Sequence, residues 1–224
     1  MYQRLAGLVA VLVVVGTSAV ARAEDPTPVG PGFDCAKAST DLERMICDTP
    51  ALAWWDRQMA SAYELARLNA DEKGRETLLA AQRLFLASRD KCALDYACLV
   101  DAYAGRIAEF ATSDDPGMVR VGRYVQPGDG EVGGDLDLVV FGNGLASISM
   151  VTFGPNAHTC ALDTDDGRDS PMGIISFENE IAEGELCTLT ITPDGANMVV
   201  TSENCTYYCG MRATLDGTYS PRAN

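Results

Sequence analysis

The 224 residues allow one or two domains by length. Lys and Arg number 17 against 32 Asp and Glu, a formal net charge of −15, so nucleic acid and anionic lipid headgroups repel the chain and polynucleotide binding is argued against on charge. At 47% hydrophobic and 22% charged the composition is globular. The one histidine, His158, leaves no histidine-rich metal site and no pair of imidazoles for acid and base roles, and no catalytic residue, metal or cofactor is expected.

The first 23 residues read as an export signal. Arg4 supplies the positive start, the run from Leu5 to Val15 is apolar apart from two small residues, and Ala21-Arg22-Ala23 gives the small-x-small cleavage pattern. The stretch from Leu5 to Val20 falls short of the ~20 apolar residues a membrane span needs. No cysteine follows it at the cleavage point, so no stable membrane anchor is expected. Cleavage after Ala23 would leave 15 basic against 32 acidic residues, a net charge of −17, on a periplasmic or secreted protein. Residues 24–32 are then a flexible N-terminus.

From Phe33 to about residue 112 the period is helical. Thr40 and Glu43 have capping-box spacing, which predicts a short helix from about Asp41 that stops before Pro50. Leu52, Trp55, Met59, Ala62, Tyr63 and Ala66 recur at three- and four-residue steps in a second, longer helix. Asp71-Glu72-Lys73-Gly74 reads as an interruption, after which Leu78, Leu79, Gln82, Phe85 and Leu86 resume the spacing up to Asp90. A fourth helix carries Leu99, Val100, Tyr103, Ile107 and Phe110. Trp54, Trp55, Met59 and Phe85 at this spacing are a packed core rather than a cofactor box.

Residues 113–117, Ser-Asp-Asp-Pro-Gly, have linker composition. Beyond them, over residues 118–224, the period becomes two, in short runs cut by glycines. Asn143-Gly144 and Asp194-Gly195 supply the positive φ angles that tight hairpins require. About seven or eight strands with no helical period between them predict a meander closed as a small antiparallel barrel, or folded as a sandwich. Gly122-Arg123-Tyr124 and Gly217-Thr218-Tyr219 are read as paired first and last strands. The fold class is α+β in two domains, a disulfide-clamped helical bundle or hairpin over residues 33–112 followed by an antiparallel β domain.

The helical half resembles the LprI-like lysozyme inhibitor family. The matching features are Asp34-Cys35-Ala36-Lys37-Ala38-Ser39-Thr40, Glu43-Arg44-Met45-Ile46-Cys47, Leu52 with Asp56 and Tyr63, Gln82-Arg83, and Ser88-Arg89-Asp90-Lys91-Cys92. They span about Phe33 to Phe110, with Phe85 where the family pattern usually has Trp. Asn204-Cys205-Thr206-Tyr207-Tyr208-Cys209-Gly210 with Gly217-Thr218-Tyr219 is similar to the β tail behind this module in some exported relatives. The resemblance implies a non-enzymatic, exported bacterial protein whose family activity is inhibition of lysozyme. A net −17 would steer the protein toward basic lysozymes at low salt.

Eight cysteines in an exported chain imply disulfides, and the absence of any C-x-x-C argues against zinc. Short loops pair Cys35 with Cys47 and Cys92 with Cys98; the alternative joins Cys35 or Cys47 to Cys92 or Cys98. Cys160, Cys187, Cys205 and Cys209 admit three connectivities. Cys187 with Cys205 and Cys160 with Cys209 is favoured because the Asp194-Gly195 hairpin brings the first pair together. No bridge is expected to cross the linker.

Three side chains are candidate partner contacts. His158, in a loop that Cys160 would stiffen, offers a donor to a carboxylate pair of the kind a glycosidase cleft holds, or is an ordinary loop histidine. Lys37 and Arg44 are the rival cations on the helical half. Asp56 and Arg89, with Gln82 beside them, read as an ion pair between helices that fixes register. Asp163, Asp165, Asp166 and Asp169 around Gly167 fail the calcium-loop spacing and read as a solvated acidic turn. Asp135 and Asp137 alternate as surface residues of a strand. The second functional reading is a non-inhibitory envelope binding protein whose barrel holds a small ligand or wall fragment.

Overall fold

The computed structural model describes residues 30–111, 119–128 and 133–223. The expected export signal over residues 1–23, residues 24–29 and the expected linker at residues 113–117 lie outside the described residues. Four helices come first: α1 (Asp41–Asp48), α2 (Pro50–Asn69), α3 (Glu72–Arg89) and α4 (Tyr96–Ala111). Eight strands follow: β1 (Val119–Gln126), β2 (Gly133–Phe141), β3 (Leu145–Phe153), β4 (Thr159–Asp169), β5 (Ile175–Ala182), β6 (Glu185–Asp194), β7 (Asn197–Glu203) and β8 (Gly217–Pro221). No helix among the described residues is long and apolar enough to cross a membrane.

Local chemistry sets the helix ends. The Thr40 hydroxyl accepts from the Glu43 amide at 3.1 Å while Glu43 reaches back to the Thr40 amide at 2.9 Å, which completes the capping box. Glu43 also accepts from the Ser39 amide at 2.7 Å, and these donors hold its carboxyl down at about 2. The expected interruption at residues 71–74 is shorter than the sequence indicated. Only Ala70 and Asp71 break the helix, because the Asp71 carboxylate caps α3 through the Gly74 amide at 2.7 Å.

The strands form one closed, all-antiparallel barrel in sequence order. It closes through Tyr124 opposite Pro221 and Val125 opposite Ser220, so the strands that carry the two segments do pair as first and last, while Gly217, Thr218 and Tyr219 themselves pair with β7. Gly144, at φ +82°, turns the β2–β3 hairpin. Gly167 is required for a different reason, since a Cβ there would lie 2.6 Å from the Ala146 carbonyl.

Alternate residues fill the barrel. Leu136 and Leu138 on β2, Ile148 and Met150 on β3, Leu189 and Ile191 on β6 and Tyr219 on β8 are all inside one core, as expected for eight strands. Leu215, fully buried, joins that core from the β7–β8 connection. The helices have their own core around Trp54, Trp55, Leu99, Tyr103 and Ile107, and it includes Val119 and Val139 from the outer face of β1 and β2. The helical half therefore packs on one outer face of the barrel.

Four disulfides clamp the chain: Cys35–Cys47, Cys92–Cys98, Cys160–Cys209 and Cys187–Cys205. These are the pairings favoured from the spacing. None joins the helices to the barrel.

Candidate functional site

Buried polar groups concentrate inside the helical half. Asp56 of α2, 3% exposed, accepts from the Tyr103 hydroxyl of α4 at 2.8 Å and from the Gly32 amide at 2.9 Å. Arg89 of α3 lies 3.6 Å from Asp56 and donates to the Tyr103 hydroxyl at 3.3 Å. Tyr103 thus mediates the pair read from sequence. Burial raises the Asp56 carboxyl against the pull of Tyr103, the Gly32 amide and Arg89.

Gln82 stands apart from this node, contrary to expectation. Its amide meets Met59 Sδ at 2.9 Å and its carbonyl accepts from Arg106 Nε at 3.1 Å. Arg106 of α4 lies 5.9 Å from the ring centroid of Phe85 on α3 as well as 4.5 Å from that of Phe110 on its own helix, so its guanidinium ties α4 to α3 alongside Arg89. Gly30 and Gly32, read as part of a flexible N-terminus, are fastened too. The Gly30 carbonyl accepts from Arg57 at 2.9 Å.

Asp137 of β2 and Asp165 of β4 meet the helices on the barrel's outer face. Arg123, Asp137, Ser149 and Asp163 form one row across β1, β2, β3 and β4 on the barrel's outer face. Asp101 of α4 pairs with Arg123, and the Arg123 guanidinium sits 6.0 Å from the Trp55 ring. Burial pushes Asp137 up to about 6, opposed by Arg123, 3.6 Å away, while neighbouring Asp135 adds to the rise. Asp163 accepts from the Ser149 hydroxyl at 2.5 Å, and burial raises its carboxyl. The alternation holds, and Asp135, with its side chain 48% exposed, lies at the surface as expected, whereas Asp137, at 17%, is covered.

The expected acidic turn is likewise strand. Asp163, Asp165, Asp166 and Asp169 all lie on β4. Asp165 accepts from Arg57 Nε at 2.7 Å and Gln58 Nε2 at 2.7 Å, and Asp169 pairs with Arg120. Beside Asp165 a groove of about 430 Å³ opens between α2 and the β2–β3 hairpin, walled by Leu65, Leu68, Phe141 and Leu145. Sequence reasoning missed this junction because the register of a helix against a strand leaves no local signature. Among the described residues no group of three or more His, Cys, Asp or Glu is placed to hold a metal ion.

The three candidate contacts sit in two places. Lys37 and Arg44 belong to the exposed N-terminal corner of the helical half. Lys37 pairs with Asp34 at 3.4 Å and Arg44 with Asp41 at 3.3 Å, so each cation has a local counter-charge. His158 lies in the β3–β4 connection, half-buried. A Cβ at Gly210 would be 3.4 Å from its Nδ1, so the imidazole packs on the β7–β8 connection.

That end of the barrel is built of tied loops. Cys209 is joined to Cys160, the Gly210 amide donates to the Thr159 carbonyl at 2.7 Å, and the Thr152 hydroxyl donates to the Thr214 carbonyl at 2.7 Å. Cys205 is joined to Cys187 at the start of β6. Asn179 Nδ2 donates to the Tyr208 hydroxyl at 2.7 Å. The arrangement is a preorganised rim.

Residues 35–114 match the model of the family described as lysozyme inhibitor LprI. Lipoprotein LprI of Mycobacterium bovis and lipoprotein LprI of Mycobacterium tuberculosis are each 30% identical to this chain over 111 residues, 48% of this chain and 55% of theirs. The chain spans about half the length of these curated relatives. No solved structure matches it. The helical half is homologous to the LprI family, and the family match ends before β1.

Proposed function

We propose that this protein is an exported bacterial lysozyme inhibitor-like protein, non-enzymatic, that binds a host or environmental lysozyme and blocks peptidoglycan hydrolysis. The observation that carries the reading is the homology of residues 35–114 to the LprI family, of which residues 35–111 fold as a disulfide-clamped helical unit. The expected leader over residues 1–23 and eight cysteines fit an oxidising destination such as the periplasm or the medium. The acidity of the chain fits a basic partner.

Inhibition requires only that a rigid surface occlude the substrate cleft. His158 on the tied end of the barrel is a candidate donor to the cleft carboxylates, and Lys37 and Arg44 are candidates that must first give up Asp34 and Asp41. The alternative, an envelope protein holding a ligand inside the barrel, is disfavoured by an interior packed with Leu136, Ile148, Met150, Leu189 and Tyr219.

The reading is tested by mixing the oxidised protein, residues 24–224, with animal-type lysozyme and sizing the mixture by sedimentation velocity. A 1:1 species is expected at low salt, weakening as salt rises. Two independent species at every salt concentration overturn it.

A further inference from the structure

The charge of this protein is distributed unevenly. Residues 30–111 hold 13 acidic and 10 basic residues, whereas residues 119–223 hold 15 acidic and 5 basic. Within the second segment the 43 residues between Arg168 and Arg212 carry seven carboxylates and no lysine, arginine or histidine. These residues build β5, β6 and β7, while the helices pack on the outer face of β1 and β2.

The β5–β6 hairpin concentrates the effect. Glu178, Glu180, Glu183 and Glu185 are exposed, and none belongs to an ion pair among the described residues. Glu178 lies opposite Thr188, and Thr188 opposite Glu203, so the carboxylate row crosses three strands. Apolar side chains stand at the same end. Leu186 is 42% exposed, Tyr207 48% and Met211 76%, and Cys187–Cys205 and Cys160–Cys209 fix the backbone that carries them. Exposed apolar groups on a tied frame, rimmed by uncompensated charge, have the make-up of a protein-docking surface.

We infer that the β5–β6 hairpin and the Thr206–Met211 segment form the surface that docks a basic lysozyme, so that the barrel, and not the family-matched helical half, supplies the attraction for the partner. The inference rests on the lysozyme reading above. Charge complementarity selects the occupant: a cationic protein surface gains from this face what the nearly balanced helical half does not offer. The apolar residues at its centre then govern how long the complex lasts.

The test is the association and dissociation of the oxidised protein with animal-type lysozyme by surface plasmon resonance over a series of salt concentrations. Three variants are compared with wild type. One carries Glu178→Gln, Glu180→Gln, Glu183→Gln and Glu185→Gln. A charge-matched control carries Asp48→Asn, Glu64→Gln, Glu72→Gln and Glu76→Gln on the helices. The third carries Tyr207→Ser and Met211→Ser. All eight acidic positions are exposed, and thermal melting checks that each variant is folded.

The barrel variant is expected to associate about tenfold more slowly with a shallower salt dependence, and the helical control to change by less than about threefold. The third variant is expected to dissociate faster at an unchanged association rate. Equal losses in the two charge variants, or an unaffected barrel variant, overturn the assignment and leave the lysozyme reading standing. No binding by wild type overturns both.

Discussion

Arg57 of α2 donates through Nε to Asp165 of β4 at 2.7 Å, across a sequence distance of 108 residues. Gln58, the next residue on α2, gives its side-chain amide to the other oxygen of the same carboxylate. One aspartate on the barrel thus receives two donors from adjacent positions of a helix, and the Gly30 carbonyl holds the far side of the guanidinium. The helical and β halves are keyed to each other at this point.

A double-mutant cycle on Arg57→Ala and Asp165→Asn is expected to show a coupling of about 1 kcal/mol in urea unfolding, the value of a charged hydrogen bond discounted for partial solvent exposure. Strictly additive effects contradict the keying role.

The Asp56 node is more costly to break. Asp56→Ala leaves the buried Tyr103 hydroxyl without its acceptor and removes one of the two carboxylates beside Arg89, which keeps Asp90 at 2.9 Å, and a loss of about 2–3 kcal/mol is expected. Asp56→Asn retains an acceptor for Tyr103 and should lose less. Chemical denaturation of both variants checks the order, and an Asp56→Ala loss below about 1 kcal/mol contradicts the account.

The helix starts, the core tryptophans, the antiparallel meander and the short-loop disulfides were legible because each is a local or nearly local signal. Thr40 and Glu43 are three residues apart, and Cys92 and Cys98 six. What was illegible is tertiary register. Asp135 and Asp137 alternate like surface residues, and nothing in the strand says that Asp135 stays exposed while Asp137 is covered. Gln82 shows the same limit, since its spacing from Arg89 placed it near the node while the rotation of α3 turned it toward Met59 and Arg106. The uncompensated acidity of β5–β7 was in the sequence throughout, but it became a surface only when the fold put the helices on the other side.

Asp137 gives stability a pH dependence of definite sign. Its carboxyl is raised from 3.8 to about 6 in the folded protein, so the native state binds the proton more tightly and its contribution is lost as pH rises through about 4 to 6. Asp137→Asn is expected to flatten that part of the profile, with a difference from wild type of at most about 3 kcal/mol by pH 7. Parallel profiles for the two proteins contradict it. Glu43, lowered to about 2, acts in the opposite direction, stabilising above its unfolded pKa and ceasing to do so as pH falls toward 2.

Removing Cys160–Cys209 by a double serine substitution opens a connection of 49 residues and is expected to cost about 2–4 kcal/mol, more than removing Cys92–Cys98, which spans 6. The midpoints of guanidinium unfolding give the comparison. Equal losses for the two bridges contradict the loop-length argument.

The most direct measurement is lysis of a bacterial wall suspension by animal-type lysozyme, with and without the oxidised protein, at low and at physiological salt. The account requires saturable, stoichiometric inhibition that persists at physiological salt and fails after the disulfides are reduced. Undiminished lysis at both salt concentrations, with all four disulfides confirmed, contradicts it.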